Sequence, residues 1–181
     1  MLISKSKGSV LKNTQTMVIL SLFIALSIVL GKQISFTVGA IRISFENLPI
    51  LMSGIFFGPI AGAIVGACAD IIGCLVTGYS INPIITLGAI SIGFISGMLF
   101  KTTSVDNLKW KLILSIGISH IVGSMVIKSI GLYIYYHYAI SILILRVPLY
   151  IVIGSLETTI IYMLIQNNAF KNQLDRITSR L

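Results

Sequence analysis

The sequence predicts an all-α integral membrane protein: a single six-helix bundle over residues 1–181, with a short external hairpin between its first two helices. Three observations carry that expectation. Apolar residues make up 56% of the chain, charged residues only 10%, and the mean hydropathy is +1.00. The few charges leave uncharged runs as long as a bilayer is thick, and most cations sit in short stretches between those runs. An ordinary soluble domain is about a quarter charged, so that class is excluded, as is a disordered chain. Two cysteines are too few for a disulfide-stapled domain. A net charge of +8 could suggest nucleic acid, but basic patches interleaved with aromatics are missing from the sequence.

A helix needs about 20 residues to cross the hydrocarbon core. Six crossings are expected near 13–31, 45–57, 59–77, 83–100, 111–133 and 143–167. Lys12 and Lys32 bound the first. The second and third share one apolar run, broken at Gly58-Pro59, and a proline favours the first turn of a helix. The second is short, so it is tilted or shielded by protein. Asn82-Pro83 opens the fourth. The tail 171–181 reads as a short polar end.

Orientation follows from charge. Lys5, Lys7, Lys12, Lys101, Lys109, Lys111, Lys171, Arg176 and Arg180 all fall on one side of a six-crossing chain. Both termini are therefore expected in the cytoplasm and the chain in the cell membrane. The first helix runs into Gly31-Lys32-Gln33 with no small-x-small cleavage site, so it reads as a span and not as a signal peptide. Beyond it, Ile34, Phe36 and Val38 alternate with polar residues; after Gly39-Ala40, Ile41, Ile43 and Phe45 do the same. That pattern predicts a tight external hairpin able to act as a lid, with an irregular loop as the plainer alternative.

Charges inside a membrane are costly and mark candidate sites. Outside the cytoplasmic set these are Lys32, Arg42, Glu46, Asp70, Lys128, Arg146 and Glu157, joined by His120. His120, Ser124 and Lys128 share one face of the fifth helix, and Arg146, Tyr150, Ile153 and Glu157 one face of the sixth. Lys128 and Arg146 lie toward the external half with no obvious acidic partner, and Arg42 sits in the external loop; three cations near one mouth suit an anionic solute. Glu157 and His120 either pair as a packing bridge or touch a ligand. Asp70 shares a ridge with Gly58, Gly62 and Gly66 near mid-membrane. It is either a packing acid bonded by a neighbour or a carboxylate that accepts paired donors from a heterocycle. Tyr79, Ser80 and Asn82 lie in the next external loop; the tyrosines between Tyr133 and Tyr138 fit an interfacial belt, and Tyr79 could stack on a planar ligand.

Enzyme chemistry is not expected. Cys68 and Cys74 lack a metal-site spacing. The sequence has no GxxxxGK[ST] and no HExxH, and Ser119-His120 are merely adjacent, which does not set a nucleophile against its base. An autonomous small secondary transporter or channel is the other class that inward charges allow. Ser21 and Ala25 form a small-xxx-small face on the first helix, suited to docking another membrane protein or to packing inside the bundle.

The stretches Arg42-Ile-Ser-Phe-Glu-Asn-Leu-Pro, Phe57-Gly-Pro-Ile-Ala-Gly-Ala-Ile-Val-Gly-Ala, Ala69-Asp-Ile-Ile-Gly-Cys and Tyr79-Ser-Ile-Asn-Pro-Ile-Ile-Thr-Leu-Gly-Ala resemble the S components of energy-coupling factor vitamin transporters, most of all the folate-type branch. The resemblance covers most of 17–100. It implies a six-helix subunit that captures a vitamin at the external face and needs no cofactor of its own. Such a subunit associates with a transmembrane coupling subunit and two ATPase subunits, which hydrolyse the ATP. The family's AxxxA coupling pattern reads Ser21-Leu-Phe-Ile-Ala25 here. For a folate, Asp70 could accept the pterin's paired donors. The anionic tail would face Lys128, Arg146 or Arg42, and the rings would stack on Phe36, Phe45 or Tyr79 near Asn82. Pantothenate, also anionic, is the alternative vitamin.

Overall fold

The computed structural model describes residues 14–38 and 41–178. Helix α1 (Thr14–Ile28) continues into a π-helical turn, Val29–Gln33. Strands β1 (Phe36–Val38) and β2 (Ile41–Ile43) pair antiparallel, Phe36 opposite Ile43 and Val38 opposite Ile41, so the expected hairpin forms. Its Gly39-Ala40 tip lies outside the described residues. Then follow α2 (Asn47–Phe57), α3 (Pro59–Thr77) and α4 (Pro83–Thr102). Helix α5 (Leu108–Ser119), a π stretch (His120–Ile127) and α6 (Lys128–Tyr136) form one continuous rod where the fifth crossing is expected. Helix α7 (Ile140–Gln166) holds Pro148 inside it, and α8 (Asn168–Thr178) ends the described chain.

Among the described residues, five helical segments are long and apolar enough to cross a membrane: Thr14–Gln33, Pro59–Thr77, Pro83–Thr102, Leu108–Tyr136 and Ile140–Gln166. Their outward faces carry large exposed apolar side chains such as Leu22, Leu75, Ile144 and Met163. That is the surface lipid requires of a bundle. Helix α2 is different. With 11 residues it reaches only about 16 Å at 1.5 Å per residue. Pro49 through Phe57 are all buried, so protein shields it on every side, as its shortness demands.

The core of the bundle is a close crossing of α2, α3 and α4 built on glycine. A Cβ on Gly93 would stand 2.1 Å from the Gly62 carbonyl oxygen, and one on Gly66 2.3 Å from that of Ala89. A Cβ on Gly54 would meet the Gly93 carbonyl at 2.3 Å. Backbones approach this closely only where side chains are missing. Gly58, at φ 95°, turns the chain between α2 and α3, and Pro59 occupies the first turn of α3. Gly58 and the end of α4 share one end of the molecule, since a Cβ on Gly97 would touch Gly58. This is the end at which Lys101, Lys109 and Lys111 gather.

The tail departs from expectation. It is polar but also helical: Asn167 Oδ1 accepts from the Ala169 and Phe170 amides at 3.0 and 3.4 Å and so caps α8. Phe170 packs on Phe56 at 5.4 Å between ring centroids, and Leu174 is buried. Phe170 and Leu174, four apart, form an apolar stripe that seals the base of the bundle beneath α2.

Candidate functional site

Because α2 is short, the chain between β2 and Asn47 dips into the bundle. Glu46 lies 11 residues from Phe57 and Asp70 11 residues from Pro59, so both stand about 16 Å above the Gly58 turn. Above this level opens a cavity of about 420 Å³, within the range of small-molecule sites. Its lining is polar and charged: Lys32, Glu46, Asp70, Lys128 and Arg146, with Tyr79, Asn82, Tyr136, Tyr138 and Tyr150.

Lys128 forms the floor. It is 4% exposed, and its Nζ donates to Glu46 Oε1 at 2.8 Å and to Asn47 Oδ1 at 3.3 Å. The sequence suggested no acidic partner for this lysine; Glu46, 82 residues away, supplies one. Glu46 is held from two further sides. Ser27 Oγ donates to its backbone carbonyl at 2.7 Å. A Cβ on Gly31 would lie 2.8 Å from its Cβ, so only a glycine lets α1 pass there.

Asp70 is half-buried on one wall. Thr86 Oγ1 donates to its Oδ2 at 2.6 Å, so a threonine of α4 is a neighbour that bonds the acid. Asn82 opens α4: its Oδ1 accepts from the Ile84 amide at 3.0 Å and the Ile85 amide at 3.4 Å. That cap fixes the amide, and its Nδ2 is buried with no hydrogen-bond partner among the described residues. Lys32 Nζ lies 5.3 Å from the centre of the Tyr79 ring, over its face.

Arg146 stands on α7. Its Nη1 donates to Ser129 Oγ at 3.1 Å and its Nη2 to Tyr150 Oη at 3.2 Å, while the guanidinium lies 5.3 Å from the Tyr150 ring centre. Both acceptors are hydroxyl oxygens, and among the described residues no carboxylate forms a salt bridge with it.

The structure thus gathers Asp70, Lys128, Arg146, Tyr79 and Asn82 around one cavity. Phe36 sits on the hairpin, 69% exposed and outside the lining. Phe45 is half-buried and also outside it, although its neighbours Ser44 and Glu46 line the wall. The backbone of Arg42 pairs with Thr37; its side chain lies outside the described residues. His120 and Glu157 bond each other, Nε2 to Oε2 at 2.5 Å, behind the wall and not in it. Sequence reasoning left Lys32, Glu46 and Tyr150 out of the site. The first two were visible as intramembrane charges, and Tyr150 as a polar member of the Arg146 face.

On α1, Ser21 and Ala25 both face away from the bundle, which is gripped instead by Thr16, Leu20 and Ser27. Packing inside the bundle therefore does not account for the pair.

Comparison with known proteins agrees with this architecture. Residues 15–173 match the family model described as "ECF transporter, substrate-specific component". The chain is 30% identical over 134 residues to a folate transporter FolT of Clostridium novyi, a match covering 74% of this chain and 77% of that one. It is 24% identical to a FolT of Leuconostoc mesenteroides over 92% of this chain and 93% of that one. A crystal structure of FolT bound with folic acid superposes with a TM-score of 0.69 at 20% identity, covering 83% of this chain and 92% of that one. The S component of a bacterial ECF transporter superposes at 0.64 and 22% identity, with the same coverage.

Proposed function

The chain belongs to the substrate-specific components of ECF transporters, and from that premise we propose that it captures folate at the outer face of the cell membrane. The single observation that carries this reading is the cavity itself. An acid and an orphan amide line one side, an arginine without a salt-bridging carboxylate lines another, and tyrosines stand between them. Folate has the matching parts: a pterin with adjacent donors, an aromatic linker and an anionic tail. Asp70 accepts the pterin donors, Tyr79 stacks on a ring, and Arg146 takes a tail carboxylate bidentately. Lys128 is paired with Glu46, so it acts on the solute through the shared floor. The FolT relatives and the folic-acid-bound neighbour support the same vitamin.

The basic end that holds Lys101, Lys109, Lys111 and Lys171 faces the cytoplasm by the positive-inside bias. With α2 counted as a shielded half-length span, both termini lie there. The outward small face at Ser21 and Ala25 docks the transmembrane coupling subunit, which links this chain to two ATPases; no cofactor is needed in the chain itself. Native mass spectrometry of the detergent-purified protein, followed by denaturation, tests the vitamin: folate is the expected release. Release of pantothenate transfers the site to another vitamin. Uptake by vesicles that hold this chain alone points to an autonomous transporter, and conversion of the ligand to an enzyme.

A further inference from the structure

Behind the cavity wall lies a second polar cluster that ligand capture does not use directly. His120, 1% exposed, opens the π stretch, and Glu157, fully buried, faces it from α7. His120 Nε2 meets Glu157 Oε2 at 2.5 Å, and its Nδ1 lies 3.1 Å from Ser124 Oγ. Glu157 Oε1 has no hydrogen-bond partner among the described residues. A buried acid–base pair with an unsatisfied oxygen is a poor way to glue two apolar helices, because its desolvation offsets most of its attraction. Leucine and isoleucine would bind the same surfaces at no such cost. Its geometry suggests another use.

The imidazole lies flat against α7. A Cβ on Gly154 would stand 3.3 Å from His120 Cδ2, so the missing side chain admits the ring. One turn earlier on α7, the Tyr150 ring rests 5.4 Å from the imidazole, tilted by 33°. Tyr150 Oη then accepts from Arg146. The other arm of the guanidinium reaches Ser129, whose Oγ donates to the Ser124 carbonyl at 3.4 Å. The chain of contacts closes on itself: Glu157, His120, Ser124, Ser129, Arg146, Tyr150 and back to His120. Arg146 and Tyr150 line the cavity; His120 and Glu157 do not.

We propose that the buried His120–Glu157 pair is a positioning element that holds Tyr150 and, through it, the guanidinium of Arg146 in the orientation that receives the anionic arm of the ligand. The proposal rests on the reading of the cavity as a folate site and adds to it residues that set preference for the charged tail over the ring alone. The π stretch is part of the device. Its wider turn lets His120 face α7 while Lys128, eight residues on, faces Glu46 of the floor. One helix thereby serves both the rear cluster and the floor.

The test is titration calorimetry of the purified full chain with two ligands: folate, and 6-methylpterin, which keeps the ring and lacks the anionic arm. Tyr150→Phe keeps the ring on His120 and removes the acceptor for Arg146. Glu157→Gln replaces the carboxyl behind it with an amide, and the double variant His120→Gln, Glu157→Gln replaces the whole pair with amides should the single variant fail to fold. Each is expected to weaken folate about ten- to a hundredfold while 6-methylpterin changes by less than about twofold, the same selective loss as Arg146→Gln. Equal losses for both ligands in correctly folded variants would mark the pair as structural and overturn the proposal, as would unchanged folate affinity. Wild-type protein that binds neither ligand overturns the folate reading itself, and this inference with it.

Discussion

Lys128 Nζ stands 2.8 Å from Glu46 Oε1, with the lysine side chain 6% exposed and the glutamate 27%. The pair joins α6 to the segment that leads from the hairpin into α2. It thus fixes the floor of the cavity and the root of its lid together. Removing one partner of a buried ion pair leaves the other charge stranded, at a cost of about 3–5 kcal/mol, whereas replacing both is often neutral. Glu46→Leu should therefore lower the thermal midpoint in detergent steeply. The double variant Glu46→Leu, Lys128→Met should recover most of it. A double variant no better than the single one would show that the ion pair is not what holds the floor.

Asp70→Asn should weaken folate binding by about 2–5 kcal/mol, the effect of losing a buried charge-assisted hydrogen-bond pair. Thr86→Val removes the hydroxyl that bonds Asp70 Oδ2 and lies 3.1 Å from the Asn82 carbonyl, and should cost about 1 kcal/mol. Calorimetry of both variants checks the order. Similar losses would mean that Thr86 orients the carboxylate as much as the ligand does.

The glycine crossing makes two opposite predictions. Gly93→Ala places a Cβ 2.1 Å from a backbone carbonyl, so α3 and α4 must separate. A loss of about 1–3 kcal/mol is expected from overpacking alone. Gly117→Ala has nothing within 4 Å of its new Cβ and should gain up to about 1 kcal/mol from helix propensity. Thermal unfolding followed by circular dichroism reads both.

Ala25→Leu enlarges an exposed position on α1 and should leave calorimetric folate binding intact while abolishing uptake in cells that carry the coupling subunit and ATPases. Normal uptake would move the docking face elsewhere. Loss of binding would mean that α1 shapes the cavity.

The helices were legible because hydrophobic run length and proline position are local signals: Pro59 and Pro83 open α3 and α4 at the expected residues. The hairpin was legible from alternation around Gly39-Ala40. Helix α8 was not anticipated because a polar tail conceals it, although Asn167 followed by Phe170 and Leu174 is a cap and an apolar stripe at helical spacing. Asp70 and Arg146, which line the cavity, stood out because an apolar span makes a charge conspicuous. The partnership of Lys128 with Glu46 was not, since it joins residues 82 positions apart and depends on how deep the short α2 lets Glu46 descend. The π stretch was equally hidden. Even hydropathy gives no sign that one helical rod will turn His120 toward α7 and Lys128 toward α2.

The crossing of α2, α3 and α4 has a bearing on transport. Where main chains meet with no side chains between them, a solute resting above has no shaft to fall through. A passage between α2, α3 and α4 would have to part main chains that touch. For the folate capture proposed above, inward release therefore asks for a movement larger than a side-chain gate at this crossing.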